Sequence, residues 1–164
     1  GFPVPAERAE LPAGAQVLTH FPKGEEGSIL TGRFDEEAAR LAEIIDAVKR
    51  SGPLSLLLLN EPLTSTSHGE AEEILASILK GVGRLNARGV IATHLHGLAA
   101  RVAEAGGEFP AFGSLVAQAR ETELDHTLRT FKIFPGKPSG NSYAKEIAAR
   151  YGLTSEAIAA DAED

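Results

Sequence analysis

The stretch Leu54-Ser55-Leu56-Leu57-Leu58-Leu59-Asn60-Glu61-Pro62 decides how this chain folds. Its first six positions are apolar apart from one serine and follow no clear period. Turn formers bound it on both sides, Ser51-Gly52-Pro53 before and Asn60-Glu61-Pro62 after. Such a run predicts a strand buried on both faces of a parallel sheet. On its carboxy-terminal side, Ala71, Ile74, Leu75, Ile78, Leu79, Val82 and Leu85 recur at helical spacing. Residues 89–93 (GVIAT) then read as another short buried strand. Strand, long helix, strand is a βαβ unit, and its right-handed crossover lays the helix on the sheet. On the amino-terminal side, Phe34, Ala38, Leu41, Ile45 and Val48 mark an amphipathic helix. Asp35, Glu36 and Glu37 open it, where carboxylates complement the positive end of the helix dipole. A short strand over 15–20 precedes it.

The rest of the chain is organised differently. Residues 1–14 and 22–32 are rich in Pro, Gly and charge and predict loops. Residues 115–120 and 127–134 alternate weakly around the polar sequence ETELDH and predict an antiparallel hairpin. Residues 135–141 (PGKPSGN) form a turn-rich linker. Two short helices, Tyr143 to Tyr151 and Ser155 to Ala160, follow and are broken at Gly152. The predicted class is α/β: a mainly parallel sheet with helices, an antiparallel hairpin and carboxy-terminal helices.

Composition excludes several functions. A chain of 164 residues can bury roughly two-thirds of its unfolded surface, enough for one domain. With no cysteine it has no disulfide scaffold, thiol nucleophile or thiolate zinc site. No uninterrupted apolar run is longer than that of Leu56 to Leu59, far too short to span a bilayer. The net charge is −7, and Lys23, Arg33, Lys132, Lys137 and Lys145 are scattered rather than clustered. Gripping a nucleic-acid backbone requires clustered cations, so this piece is not expected to contact DNA by itself. No secretion signal is evident, and a cytoplasmic place is expected. The chain starts at Gly1 and contains no Met, which suggests a piece of something longer.

In an open α/β sheet, ligands bind beyond the carboxyl ends of the strands. The leucine strand runs into Asn60-Glu61 and the GVIAT strand into His94. If the two are parallel neighbours, Glu61 and His94 emerge on one edge. A dry strand delivering a carboxylate is the Walker B arrangement, which holds that group within reach of a water attacking a nucleoside triphosphate. The plainer alternatives are that Asn-Glu-Pro is an ordinary strand-exit turn and that His94 is a structural hydrogen-bonding residue. His94-x-His96 could instead pair two imidazoles for a transition metal, with Glu61 or His68 as further ligands. No G-x-S-x-G elbow occurs. His20, His68 and His126 read as loop residues.

Four segments in this order, LLLLNEP, TSTSHGEAEEILASIL, GVIATHLHGLA and SYAKEIAARYGL, resemble the ATPase domain of the MutS mismatch-repair family. There an apolar strand ends in Asp-Glu, a Gly/Ser/Thr-rich D-loop opens a helix, a strand ends in Thr-His, and a Ser-Tyr-Gly helical segment follows. The upstream VLTHFPKGEEGSILTGRFDEE is similar to the strand and signature loop of that domain. The resemblance covers about residues 1–153. It implies a partial P-loop ATPase domain of the ABC/MutS type, with residues 1–134 as the ATPase core and 135–164 as a helical, dimerising segment. No G-x-x-x-x-G-K-[ST] is present, so the phosphate-cradling loop and its Lys are missing. Gly1 to Ala6 resembles the stretch just beyond the helix that follows that loop.

The resemblance also implies roles. Glu61 would orient the attacking water, and His94 would sense the γ-phosphate. Asn60 stands where the family usually has Asp and would touch, with Glu61, the water shell of Mg²⁺. An amide oxygen still accepts a hydrogen bond but lacks the charge attraction. A divergent branch of the family carries Asn-Glu here, so the change is compatible with an active enzyme. Thr31 and Gly32 replace the usual Ser-Thr of the signature loop, and Thr31 is the candidate hydroxyl for a partner's γ-phosphate. Ser65, Thr66 and Ser67 would line a D-loop about two residues shorter than usual, at a dimer interface; helix capping is their alternative role, above all for Ser67. Tyr143, Ile147 and Leu153 would anchor a homodimer or else pack against the sheet. ATP or ADP and Mg²⁺ belong to the intact parent, with none expected on this piece alone. DNA would be bound by regions outside this chain, in a bacterial, nucleoid-associated protein with no membrane partner. A catalytically weak scaffold that only dimerises is the competing implication.

Overall fold

The leucine run becomes the central strand of a parallel sheet in the computed structural model, which describes residues 7, 8, 10, 13–22, 32–104, 107–121, 127–138 and 144–160. The elements of the first part are β1 (Gln16–His20), α1 (Arg33–Ser51), β2 (Ser55–Asn60), α2 (His68–Arg84), β3 (Arg88–Ala92) and α3 (His96–Val102). Strand order is β1-β2-β3, with β2 parallel to both neighbours. Leu59 pairs with His20 on one side and Ile91 on the other, and Asn60 pairs with Ala92. The parallel βαβ unit expected from the sequence is present.

Alternation along β2 buries Ser55, Leu57 and Leu59 on one face. That face meets Leu41 and Val48 of α1, Ala71, Leu75, Leu79 and Val82 of α2, and Leu98 of α3 in one hydrophobic cluster. The opposite face is open: Leu56 and Leu58 are only partly covered, and Val17 and Val90 are 52% and 60% exposed. Two expectations are corrected here. β2 is packed on one face rather than two, and β3 is an exposed edge strand in which only Ile91 is partly buried. An apolar run without a period does not reveal which of its residues meet a helix.

Local chemistry fixes the ends of the elements. Gly52 closes α1 at φ +50°, a conformation that favours glycine, and donates its N–H to Val48 O. Ser67 caps α2, its Oγ accepting the Glu70 N–H at 3.4 Å, and Asn86 at φ +54° ends that helix in the left-handed region. Gly89 lies opposite Leu57 in the register, where a Cβ would come within 2.5 Å of the Leu57 carbonyl oxygen.

The chain divides into two compact units, residues 1–113 and 114–164. The second contains an antiparallel hairpin, β4 (Leu115–Glu121) and β5 (Thr127–Pro135), and two helices, α4 (Ala144–Arg150) and α5 (Ser155–Ala160). The hairpin register shifts between Ala117 and Ala119, an irregularity of the bulge kind. Ile147 and Leu153 are exposed, while Tyr143 lies outside the described residues. Among the described residues no helix is long and apolar enough to cross a membrane.

Candidate functional site

Glu61 follows the last residue of β2. Its N–H donates to Ala92 O at 2.8 Å, extending the parallel ladder by one bond. Its backbone then turns sharply, at φ +45°. Non-glycine residues hold such a conformation only where the surroundings impose it. The turn brings the Glu61 carboxylate to His94, just beyond the end of β3. Glu61 Oε2 accepts from His94 Nδ1 at 2.6 Å and lies 3.3 Å from the His94 backbone nitrogen, which also donates to it. The shared edge expected for these two side chains is therefore a direct contact.

A third side chain completes the cluster. His94 Nε2 lies 3.1 Å from His68 Nε2, the rings meeting edge to face at 78° with centroids 5.0 Å apart. With Nδ1–H committed to the carboxylate, a bond between the two Nε2 atoms needs a hydrogen on one and a lone pair on the other. His68 is thus no loop residue but the first residue of α2. The signal was present in Ser67-x-x-Glu70, a capping-box spacing that puts His68 at the first helical position. His96 opens α3, and β3 ends at Ala92, so strand alternation does not pair His94 with His96. Among the described residues no group of three or more His, Asp or Glu is arranged to hold a metal ion.

The loop after Glu61 has its own support. Glu37 is 5% exposed, and its carboxylate accepts the Leu63 N–H at 2.6 Å, the Ser65 Oγ–H at 2.5 Å and the Ser65 N–H at 3.4 Å. His20, at the end of β1 and 3% exposed, places Nε2 at 3.6 Å from the same carboxylate. α1 starts at Arg33, so Glu37 lies past the first turn, where the dipole reading puts it, and meets loop donors instead. His20 is the last residue of the strand expected over 15–20 and not a loop residue. Thr66 and Ser67 hydroxyls donate to Glu70 at 2.9 and 2.7 Å and hold its carboxyl below the usual carboxylate range, Ser67 contributing most. Gly32 is the N-cap of α1, and Thr31 lies outside the described residues. Asn60 ends β2, half-buried.

α3, which follows His94, is fixed against α2. The Glu72 carboxylate accepts the Leu98 N–H at 3.3 Å, satisfying a donor at the start of α3. Arg101 pairs with Glu73 at 3.2 Å and Glu108 at 2.7 Å, and Lys80 pairs with Glu108. Hydrogen bonds from Lys80 and then Arg101 hold the Glu108 carboxyl below its usual range. An apolar groove between α1 and α2, lined by Phe34, Leu41, Ile45, Ile74 and Ile78, contains none of the expected site residues.

A carboxylate and an imidazole in contact beyond the carboxyl ends of adjacent parallel strands make a candidate site on an α/β fold. No protein-family model matches the chain. It is 32% identical over 163 residues to the endonuclease MutS2 of Pelotomaculum thermopropionicum, covering 96% of this chain and 19% of that protein. It is 28% identical over 156 residues to the DNA mismatch repair protein MutS of Thermus aquaticus, covering 95% of this chain and 18% of that protein. The chain is related to the MutS-like mismatch-repair family. It spans about a fifth of the length of these curated relatives.

Proposed function

We propose that this chain is the part of a MutS-like ATPase that presents the water-orienting carboxylate and the phosphate-sensing imidazole, in a protein acting on DNA in repair. The observation that carries the reading is the 2.6 Å contact of Glu61 with His94 at the ends of neighbouring parallel strands. A carboxylate held on a rigid strand keeps a fixed position, and positioning is most of phosphoryl-transfer catalysis. Glu61 accepts the proton side of the attacking water and orients it. His94, held through Nδ1, keeps Nε2 for a second partner, and His68 occupies that place here. The Asn60 amide oxygen and Glu61 carboxylate are hard oxygen donors of the kind that suits a hydrated Mg²⁺. ATP with Mg²⁺, when bound, supplies the scissile phosphoanhydride. Thr31, Gly32, Ser65, Thr66 and Ser67 face a second copy's nucleotide in a homodimer, and DNA is bound by other regions of the protein.

The test is steady-state ATP hydrolysis by the full-length protein and its Glu61→Ala variant. Loss of a positioned acid–base group lowers kcat by about 10²-fold or more. Equal rates would remove the reading. Asn60 favours a second one, a scaffold that dimerises without hydrolysis. Sedimentation with and without ATP decides between them, because an unchanged dimer fraction supports the scaffold.

A further inference from the structure

We infer that Glu37 is a positioning residue: its buried carboxylate fixes the loop that follows Glu61 and ties that loop to the beginning of α1. The inference deepens the nucleotide reading above and rests on it for the effect on hydrolysis. The clamp itself rests on geometry. A carboxylate withdrawn from water is tolerated only when its lone pairs are satisfied. Glu37 meets that condition almost wholly with donors far along the chain, the Leu63 N–H and both the N–H and the hydroxyl of Ser65. The His20 ring is too far from the carboxylate for a hydrogen bond but lies against it, buried.

Leu63 shows what the clamp holds. Its φ is +66°, in the left-handed region that a branched side chain enters only when forced. That conformation places its N–H 2.6 Å from the Glu37 carboxylate while its side chain, 2% exposed, enters the core. The loop is therefore pinned from two sides only two residues beyond Glu61. At the other end, Glu37 lies little more than one turn into α1, whose N-cap is Gly32. The carboxylate thus makes one body of two segments proposed to face a partner's phosphates, the start of α1 and residues 65–67.

Two readouts on the full-length protein test this: amide hydrogen exchange and the kcat and KM for ATP. Removing a hydrogen bond to a charged acceptor predicts, for Glu37→Gln, exchange about tenfold faster or more at Leu63 and Ser65. Exchange through α2 stays unchanged. kcat falls by about tenfold with KM within about twofold, the pattern of a lost transition-state arrangement rather than lost binding. Unchanged exchange at both amides overturns the inference, as does a rise spread equally through α2. Full kcat in a variant whose loop has loosened overturns it too, given an inactive Glu61→Ala. That last variant separates the two ideas: if it hydrolyses ATP normally, the nucleotide reading falls, while the exchange data still judge the clamp. Should Glu37→Gln fail to fold, Glu37→Asp draws the same carboxylate back by one methylene, and unchanged exchange at both Leu63 and Ser65 there refutes the clamp.

Discussion

Between β2 and β3, Gly89 leaves no room for a side chain: even a methyl group there would collide with Leu57 O and Cβ. Gly89→Ala must push the two strands apart, and overpacking of this kind destabilises by about 1–3 kcal/mol. Urea denaturation measures that cost. Ser67 gives a second test, because replacing an N-cap serine by alanine costs about 1 kcal/mol. The Glu70 carboxyl that Ser67 and Thr66 hold below the usual range adds a pH signature. A depressed folded pKa means stability fully present above the unfolded carboxylate value and lost as pH falls through the folded one. The difference between the protein and its Glu70→Gln variant should therefore shrink in acid, as thermal denaturation across pH 2–7 would record. At this scale the juxtaposition of Glu61 and His94 was legible because each follows the carboxyl end of a short apolar run, and the two runs are parallel neighbours whether or not the second is buried. Glu37 was not. An acid early in a helix looks the same whether it meets solvent or a loop donor 26 residues away.

Elements were easiest to read where their residues carry a period. α1 and α2 announce themselves through steps of three and four, and the helix starts and stops fell near Gly32, Gly52 and Ser67. The leucine strand announced its existence but not its orientation, since four identical side chains fit either face. The structure resolves that ambiguity into a measurable contrast. Leu57 is 1% exposed and contacts the helices, so Leu57→Ala should cost about 2–5 kcal/mol. Leu58, on the partly covered face, should cost clearly less. Equal losses, measured by chemical denaturation, would mean that the second face is as tightly packed as the first.

For the whole molecule, the sign and spread of charge constrain what the chain does alone. At −7, with its cations scattered, a polypeptide of residues 1–164 should give no mobility shift with duplex DNA at physiological salt. A shift would move the DNA contact into this chain. The parallel sheet carries a further consequence. Among the described residues, β1 and β3 are both terminal strands, and each turns one row of amide and carbonyl groups outward beside bare valines. Such rims are templates for another copy's backbone. Concentrated samples should thus drift into ribbon-like self-association that added salt leaves intact, and a lysine at Val90 should suppress it.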